Sequence, residues 1–398
     1  MQTDTHPSSH RPPRDSDARG PFSWRHWIAI GIALAALLTC LAAWFQPQIL
    51  VPSYLAATLW VWSLSAGAIA LLLIGHLTGG RWTNKLRPYS ETAARLMPLV
   101  TLAFIPLAWQ LDRLYPWITP DFFAGKENAA HKQLYLSKEF FLVRSVLYLA
   151  IFNGIGYLVA GRLGTRVKTG LLPGGQATAG LCSVALLLTI TWCSMDWLMS
   201  INPDFTSTIF GVLVGFGALL GSLAWCIAWR LLASRLWPTS AVVQDSPSAE
   251  TSAADNDLGN LLLAVLMLWA YAHLGQFLLM WSGNLPAEAQ FYLPRMEGVG
   301  KTLSLTLIIA SFVIPQLALM SRRVRTSSLV MVFLSGWLVL MQLIHFAWLL
   351  AAKLTLDSTL GLILSLLTPL VFLSAISWIA AWETERMFRT SQEAGSYA

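Results

Sequence analysis

Residues 54–74 read YLAATLWVWSLSAGAIALLLI and contain no charged side chain. A helix needs about 20 consecutive apolar residues to cross the hydrocarbon core of a bilayer, and this run meets that requirement. Nine more runs meet or approach this length, near 27–45, 95–111, 141–161, 178–200, 208–233, 258–282, 299–320, 327–351 and 359–382. The sequence therefore predicts an all-α polytopic membrane protein with about ten transmembrane helices.

The composition of the whole chain agrees with this prediction. Of 398 residues, 56% are hydrophobic and 12% are charged, whereas soluble domains carry about 25% charged residues. This composition excludes an ordinary soluble enzyme and a disordered chain. The unbroken apolar runs also argue against a membrane β-barrel, whose strands alternate apolar and polar residues. The net charge of +6 is too small and too dispersed to indicate a nucleic-acid partner.

The sequence predicts two polar tails around one membrane domain. Residues 1–23, rich in Pro, Ser, Arg and Asp, form a disordered tail, residues 24–386 the transmembrane domain and residues 387–398 a second tail. A Ser/Ala/Asp-rich connector at 239–257 follows the sixth helix. Lys and Arg are concentrated in the segments that lie on the same side of the membrane as the N-terminus in this topology. The positive-inside rule then predicts that both termini lie in the cytoplasm and that the 112–140 loop lies in the periplasm or on the exterior.

The four cysteines give no sign of a metal or cluster site. None belongs to a C-x-x-C pair, and no C-x-x-C-H haem attachment sequence occurs. All four lie inside apolar runs, where cysteine packs as a small hydrophobic residue; they are Cys40, Cys182, Cys193 and Cys226. We therefore expect no metal bound by this chain.

Polar side chains inside the predicted helices are the main candidates for function, because burying them in a bilayer is costly. The sequence offers seven of them: Asn153, and six that fall in the outer half of the membrane in the predicted topology, namely Arg144, Asp196, His273, Gln276, Gln342 and His345. One interpretation is structural, with an Arg144–Asp196 ion pair and interhelical hydrogen bonds from the others. Another is a periplasm-facing polar path for protons or a quinone pocket. A third, for His273 and His345, is ligation of a b-type haem between facing helices.

A separate motif, Gly75-His76-Leu77-Thr78-Gly79-Gly80-Arg81-Trp82, lies at the cytoplasmic end of the second predicted helix. Gly79-Gly80 is typical of a helix C-cap followed by a turn. His76 in the last helical turn complements the helix dipole. We interpret His76 and Arg81 as members of a helix-end motif, since no phosphate-binding G-x-x-x-x-G-K-[ST] sequence occurs there.

Several segments together resemble a known family. They are HLTGGRW at 76–82, LYPW at 114–117, FFLVRSVLY at 140–148, DWLMS at 196–200, STIFG at 207–211, WAY at 269–271, QFLLMW at 276–281 and GNLP at 283–286. In order and spacing the chain resembles the F-type integral membrane subunit of bacterial alternative complex III, a quinol:cytochrome c oxidoreductase. That subunit is related to the NrfD and polysulfide-reductase membrane anchors.

The resemblance implies a fold, a set of partners and a location in the bacterial inner membrane. It implies two four-helix bundles, helices 2–5 (about 54–200) and helices 6–9 (about 208–351), with helices 1 and 10 flanking them. It also implies that this chain binds no haem or iron–sulfur centre itself. Those cofactors are expected on iron–sulfur and c-type cytochrome subunits, beside a homologous NrfD-like membrane subunit. The chain departs from the family in the ninth helix, where Gln342 and His345 stand in place of a charged pair.

Three functions follow as hypotheses. The leading one is a membrane subunit of a respiratory quinol:cytochrome c oxidoreductase, not catalytic alone, which supports assembly and provides a periplasm-facing path for protons or a quinone site. The second is a directly catalytic quinol-binding subunit, with quinone or quinol as its ligand. The third is a secondary transporter, although no pair of broken helices lies at matching mid-membrane positions.

Overall fold

The computed structural model of the chain describes residues 47–119, 121–124, 129–161, 175–236, 249–284, 289–351 and 353–354, together with positions 368 and 379. The predicted first helix and both predicted tails lie outside the described residues. The predicted tenth helix also lies outside them, apart from the two isolated positions.

Eight helices within the described residues are long and apolar enough to cross a membrane. They correspond in order to the second through ninth predicted helices, and the described part of the chain contains no strand. They are α1 (Pro47–Thr78), α2 (Arg81–Arg95 and Met97–Ala108), α3 (Lys138–Ala160), α4 (Gly175–Trp197), α5 (Phe210–Leu236), α6 (Ala249–Gly283), α7 (Gly298–Thr306, Leu307–Val313 and Ile314–Met320) and α8 (Ser328–Leu349). The predicted all-α polytopic membrane fold is confirmed.

The eight helices form the two expected four-helix bundles. Helices α1–α4 pack around one another in the first bundle, and α5–α8 do so in the second. The bundles meet mainly where α1 packs against α5. These two helices are accordingly the most enclosed, with 89% and 78% of their most apolar windows buried, whereas the corresponding window of α7 is 22% buried. An apolar sequence therefore serves two purposes here, since it fills the interior in α1 and faces outward in α7.

Successive helices run antiparallel, so the connections gather at two ends of the molecule. We call the end that contains Tyr115 and Arg295 the upper end, and the end that contains Arg95 and Arg325 the lower end. At the upper end the Tyr115 hydroxyl donates to the Trp197 carbonyl at 3.0 Å. At the lower end Arg95 Nε donates to the carbonyl of Ala160 at 2.8 Å. Short helical segments occur in the upper connections at Leu111–Leu114, Pro116–Ile118, Ala129–Tyr135, Met199–Ile201 and Leu293–Met296.

The start of α2 corrects the sequence prediction. The prediction began this helix at residue 95 and treated 75–94 as a loop, but residues 81–95 are helical. Their charges are paired inside the protein: the buried Glu91 carboxylate accepts from Arg87 Nε at 2.7 Å and from Arg95 Nη2 at 3.1 Å. Pairing lowers the cost of burying these charges. Composition alone counts that cost in full, which is why the segment was not predicted as part of a membrane helix. The predicted 239–257 connector is likewise shorter, because α6 begins at Ala249.

Candidate functional site

The first bundle holds a buried ion pair between α3 and α4. Asp196 is fully buried, and Arg144 is 8% exposed. The guanidinium binds the carboxylate through two bonds, Nε to Oδ2 at 2.7 Å and Nη2 to Oδ1 at 3.0 Å. Two tyrosines complete the carboxylate shell: Tyr148 donates to Oδ2 at 2.8 Å and Tyr135 donates to Oδ1 at 3.0 Å. The Asp196 carboxylate thus accepts four hydrogen bonds, which is its full capacity.

Tyr135 closes this pair toward the upper end. Its carbonyl accepts from Arg144 Nη1 at 3.0 Å, and the guanidinium carbon lies 3.9 Å from its ring centroid. Burial and the neighbouring Asp196 carboxylate raise the pKa of Tyr135 to about 12. Its phenol therefore stays protonated near neutral pH and remains a donor. Of the two interpretations of Asp196, this geometry favours the structural ion pair, because no lone pair is left for a travelling proton.

Sequence reasoning missed the two tyrosines, because it considered only charged, histidine and amide side chains as polar candidates inside the helices. It also missed the neighbouring hydrogen bond from Trp197 Nε1 to Ser145 Oγ at 3.0 Å. Arg144 and Tyr148 are four residues apart on α3, so they lie on one helix face and both reach Asp196. This spacing was the sequence feature from which the role of Tyr148 could have been predicted.

The second bundle brings His273 and His345 together. His273 Nε2 on α6 lies 2.9 Å from His345 Nε2 on α8. His273 Nδ1 lies 2.9 Å from the Trp269 carbonyl, one turn earlier on its own helix. His345 Nδ1 lies 3.2 Å from Gln342 Oε1. His345 and Gln342 are fully buried, whereas His273 is half-buried, so the pair extends from the bundle interior to the face of α6.

Glycines on α5 make room for this histidine pair. A Cβ at Gly217 would lie 3.2 Å from Gln342 Oε1 and 3.3 Å from His345 Nδ1. A Cβ at Gly221 would lie 3.3 Å from Gln342 Cγ. Small residues let membrane helices approach closely. The G-x-x-x-G spacing of Gly217 and Gly221 therefore allows α8 to place both polar side chains against α5.

The geometry also bears on the haem alternative. Nitrogen–metal bonds of about 2.0–2.1 Å, as in histidine–zinc sites, would require about 4 Å between two nitrogens on opposite sides of one ion. The separation of 2.9 Å instead corresponds to a direct hydrogen bond. The pair as arranged therefore fits proton sharing and does not fit an iron between the rings.

Gln276 lies one turn above His273 on α6. Its Oε1 accepts from Ser207 Oγ at 2.6 Å, which ties α6 to the connection that precedes α5 at the upper end. Among the described residues, the buried Gln276 Nε2 atom has no partner, and no hydrogen bond links this group to Asp196. The sequence hypothesis of one shared polar path is therefore replaced by two separate groups, the Arg144–Asp196 pair in the first bundle and the His273–His345 pair in the second.

The helix-end motif behaves as the sequence predicts. Helix α1 ends at Thr78, and Gly79 has a φ of 65°, the left-handed conformation of a C-cap. The Gly79 amide donates to the Gly75 carbonyl at 3.0 Å. His76 Nδ1 donates to the Leu72 carbonyl of its own helix at 2.8 Å. The side chain of Arg81 lies outside the described residues, so its predicted role stays a prediction.

Arg295 is a buried arginine that sequence reasoning missed, because it lies in the connection between α6 and α7. It is 1% exposed and closes the C-terminus of α8, where Nε donates to the Trp348 carbonyl at 3.0 Å and Nη2 to the Leu349 carbonyl at 2.7 Å. Nη1 donates to the Phe291 carbonyl. Burial lowers the pKa of Arg295 to about 9, which still leaves it charged near neutral pH. The cation thus satisfies helix-end carbonyls and complements the dipole of α8.

Arg295→Lys is expected to destabilise the protein by about 1–3 kcal/mol, the cost of leaving buried carbonyls unsatisfied. A lysine ammonium is a point charge and does not reproduce the planar fork that reaches three carbonyls. Thermal unfolding of the purified protein in detergent measures the effect. Arg322→Lys, at an exposed position of the lower end, is the matched control. Equal melting temperatures for the two variants would contradict the capping role.

The sequence was also compared with known proteins. The chain matches no protein-family model, and no curated protein is detectably similar to it, so its resemblance to the alternative complex III subunit depends on the motifs in the sequence alone.

Proposed function

We propose that this chain is a membrane subunit of a respiratory quinol:electron-acceptor oxidoreductase. In this proposal the first bundle is the structural half, and the second bundle carries protons between its interior and the upper end. The upper end faces the periplasm of a bacterial inner membrane. Iron–sulfur and c-type cytochrome subunits carry the electrons, and a homologous membrane subunit lies beside this one.

The positions of the motifs support the proposal. Several segments that carry the resemblance are far apart in the sequence but contact one another in the structure. Tyr115 of LYPW bonds to Trp197 of DWLMS, and Trp197 bonds to Ser145 of FFLVRSVLY. Ser207 of STIFG bonds to Gln276 of QFLLMW. Matching segments that contact one another are what a shared architecture requires.

The observation that carries the proposal is the hydrogen-bond chain through His273 and His345. A carbonyl accepts from His273 Nδ1, so the opposite nitrogen of a neutral His273 is an acceptor. His345 Nε2 then donates to it, which leaves His345 Nδ1 facing Gln342 Oε1. If the pair gains one proton, His345 Nδ1 donates to that oxygen. If the pair loses that proton, a flip of the Gln342 amide lets Gln342 Nε2 donate to His345 Nδ1. The pair therefore gains or loses one proton without movement of the helices.

Unpartnered donors mark a route from this pair to the upper end. In the part of the chain that the structure describes, buried nitrogens of Trp269, Gln276 and Gln342 have no hydrogen-bond partner. Buried polar groups of this kind are normally satisfied by internal water. Trp269, His273 and Gln276 share one face of α6 by their spacing of four and three residues. Water along this face would connect the histidines to Ser207.

His345→Phe and His273→Phe are expected to slow the proton transfer that is coupled to quinol oxidation by about 100-fold or more, the typical effect of removing a positioned proton-transfer group. Proteoliposomes that contain the purified complex and a pH-sensitive dye measure the rate of this proton transfer. The matched control is His76→Phe, since His76 bonds only within its own helix end. An unchanged rate in both test variants would reject the relay.

Purification of the complex tests the wider assignment. An affinity tag on this chain is expected to recover iron–sulfur, c-type cytochrome and second membrane subunits, and the recovered complex is expected to reduce an electron acceptor with quinol. Recovery of the chain alone, with full quinol oxidation in membranes from a deletion strain, would contradict a respiratory role.

A further inference from the structure

The first bundle contains a cavity that is separate from the Arg144–Asp196 ion pair and from the proposed proton route. Its volume is about 390 Å³, within the range of pockets that bind small organic molecules. It lies between α2 and α3 and is bounded by Leu55 of α1 and Trp197 of α4. Most of its lining side chains are apolar, among them Phe104, Leu111 and Phe141. A pocket of this composition selects an apolar occupant.

The cavity opens sideways, toward the surface that a membrane protein presents to lipid. Two of its lining residues, Ile105 on α2 and Val146 on α3, are 46% and 66% exposed. It extends from Tyr115 at the upper end down to Asn153 on α3. Asn153 lies about four turns into α3, about 22 Å along the helix axis. The bottom of the cavity is therefore deep in the hydrocarbon region, where water-soluble ligands do not arrive.

Asn153 presents an unused acceptor to this deep end. Both hydrogens of its amide nitrogen are engaged, one by Thr101 Oγ1 and one by the Leu149 carbonyl, each at 2.7 Å. Thr101 itself donates to the Met97 carbonyl, so its oxygen accepts from Asn153 and the amide orientation is fixed. Among the described residues no group donates a hydrogen bond to the Asn153 oxygen, and Asn153 lines the cavity. An unsatisfied amide oxygen at this depth calls for a hydrogen-bond donor.

Ser145 provides the complementary group nearer the upper end. Its oxygen accepts from Trp197 Nε1 at 3.0 Å, and its hydroxyl hydrogen has no acceptor in the described part of the chain. Ser145 and Asn153 are eight residues apart on α3, about 12 Å along the axis. The cavity thus offers an acceptor at the bottom and a donor higher up.

We propose that this cavity binds a lipid-soluble hydroquinone whose ring hydroxyl donates to the Asn153 oxygen. The inference rests on the proposed function, which supplies a quinol in the surrounding membrane. A hydroquinone reaches the cavity through the bilayer and carries hydroxyl donors, whereas phospholipid headgroups stay at the interface. An oxidised quinone has no hydroxyl to donate to the Asn153 oxygen, and the Ser145 donor lies about 12 Å away along α3, so a ring bound at Asn153 prefers the reduced form.

Photolabelling of the intact complex in membranes tests this proposal. The probe is an azido-substituted ubiquinone, used fully reduced or fully oxidised. The reduced probe is expected to label the segment 138–160, and the oxidised probe to label it about two- to tenfold less, the value of one neutral hydrogen bond. Ala150→Phe fills the cavity and is expected to abolish this label. Leu147→Phe, on an exposed face of α3 outside the lining, is the control that retains it.

A second variant distinguishes the effect of the hydrogen bond from the effect of the cavity volume. Asn153→Leu keeps the side-chain volume and removes the acceptor, so it is expected to equalise labelling by the two redox forms. Label confined to partner subunits, label that persists in Ala150→Phe, or equal labelling of the wild type by both forms would each overturn the proposal. Quinol oxidation by the same complex is measured in parallel. Oxidation without label in 138–160 rejects the cavity site alone, whereas absence of oxidation rejects the proposed function.

Discussion

Asp196→Leu is expected to lower the free energy of unfolding by about 3–5 kcal/mol, because it leaves the buried Arg144 guanidinium without its counter-charge. Tyr135 and Tyr148 lose their shared acceptor in the same variant. The effect is a large fraction of the total stability of a typical protein, so the variant is expected to accumulate poorly in membranes. Unfolding of the purified protein in detergent, followed by tryptophan fluorescence, measures the change.

Two further variants make this result specific. Asp112→Leu replaces an exposed aspartate at the upper end and is expected to change stability by less than about 0.5 kcal/mol. Combining Asp196→Leu with Arg144→Met removes both charges and is expected to restore part of the loss. If Asp196→Asn instead keeps full stability while it abolishes proton-coupled turnover, Asp196 belongs to the proton route and the structural interpretation fails.

Gly67→Ala is expected to destabilise the protein by about 3 kcal/mol, at the upper end of the range for overpacking. A Cβ at Gly67 would lie 2.6 Å from the Ala218 carbonyl carbon and 2.8 Å from Ser222 Cβ on α5. The obstruction is mainly backbone, which no rotamer change relieves. Helices α1 and α5 would therefore have to separate where the two bundles meet.

Gly336→Ala on α8 is the control for this substitution. Nothing lies within 4 Å of a Cβ at that position, and alanine favours a helix by about 0.5–1 kcal/mol over glycine. The two glycine variants are thus expected to move the unfolding transition in opposite directions. A neutral Gly67→Ala would mean that the bundles are not in close contact there.

Most of the fold follows from hydropathy, and the exception has a clear cause. Runs such as 54–74 and 208–233 predict helices because each is apolar enough to cross alone. Residues 81–95 fail that test, since their helix depends on pairing Glu91 with Arg87 and Arg95. A hydropathy average counts each charge separately and does not register that two of them cancel.

The composition of the candidate site was predictable, and its contacts were predictable only in part. The sequence indicated the Arg144–Asp196 ion pair as one interpretation, and the structure contains it. Topology placed the six polar residues at similar depth, but it did not show that the two histidines bond to each other. The contact between His273 and His345 joins positions 72 residues apart, and it depends on how α6 and α8 rotate about their axes. Arg295 escaped detection for a different reason: its burial comes from folding of a connection over the end of α8.

The depth of the histidine pair has an electrical consequence. His273 lies ten residues from the end of the apolar span Asp255–Gly283, which is about a third of its length. A charge that crosses a whole membrane gains or loses about 2.3 kcal/mol per 100 mV. A proton that enters from the upper end and stops at this pair therefore crosses about a third of the potential, about 0.8 kcal/mol per 100 mV. The protonated fraction of the histidine pair would then depend on the membrane potential as well as on the pH.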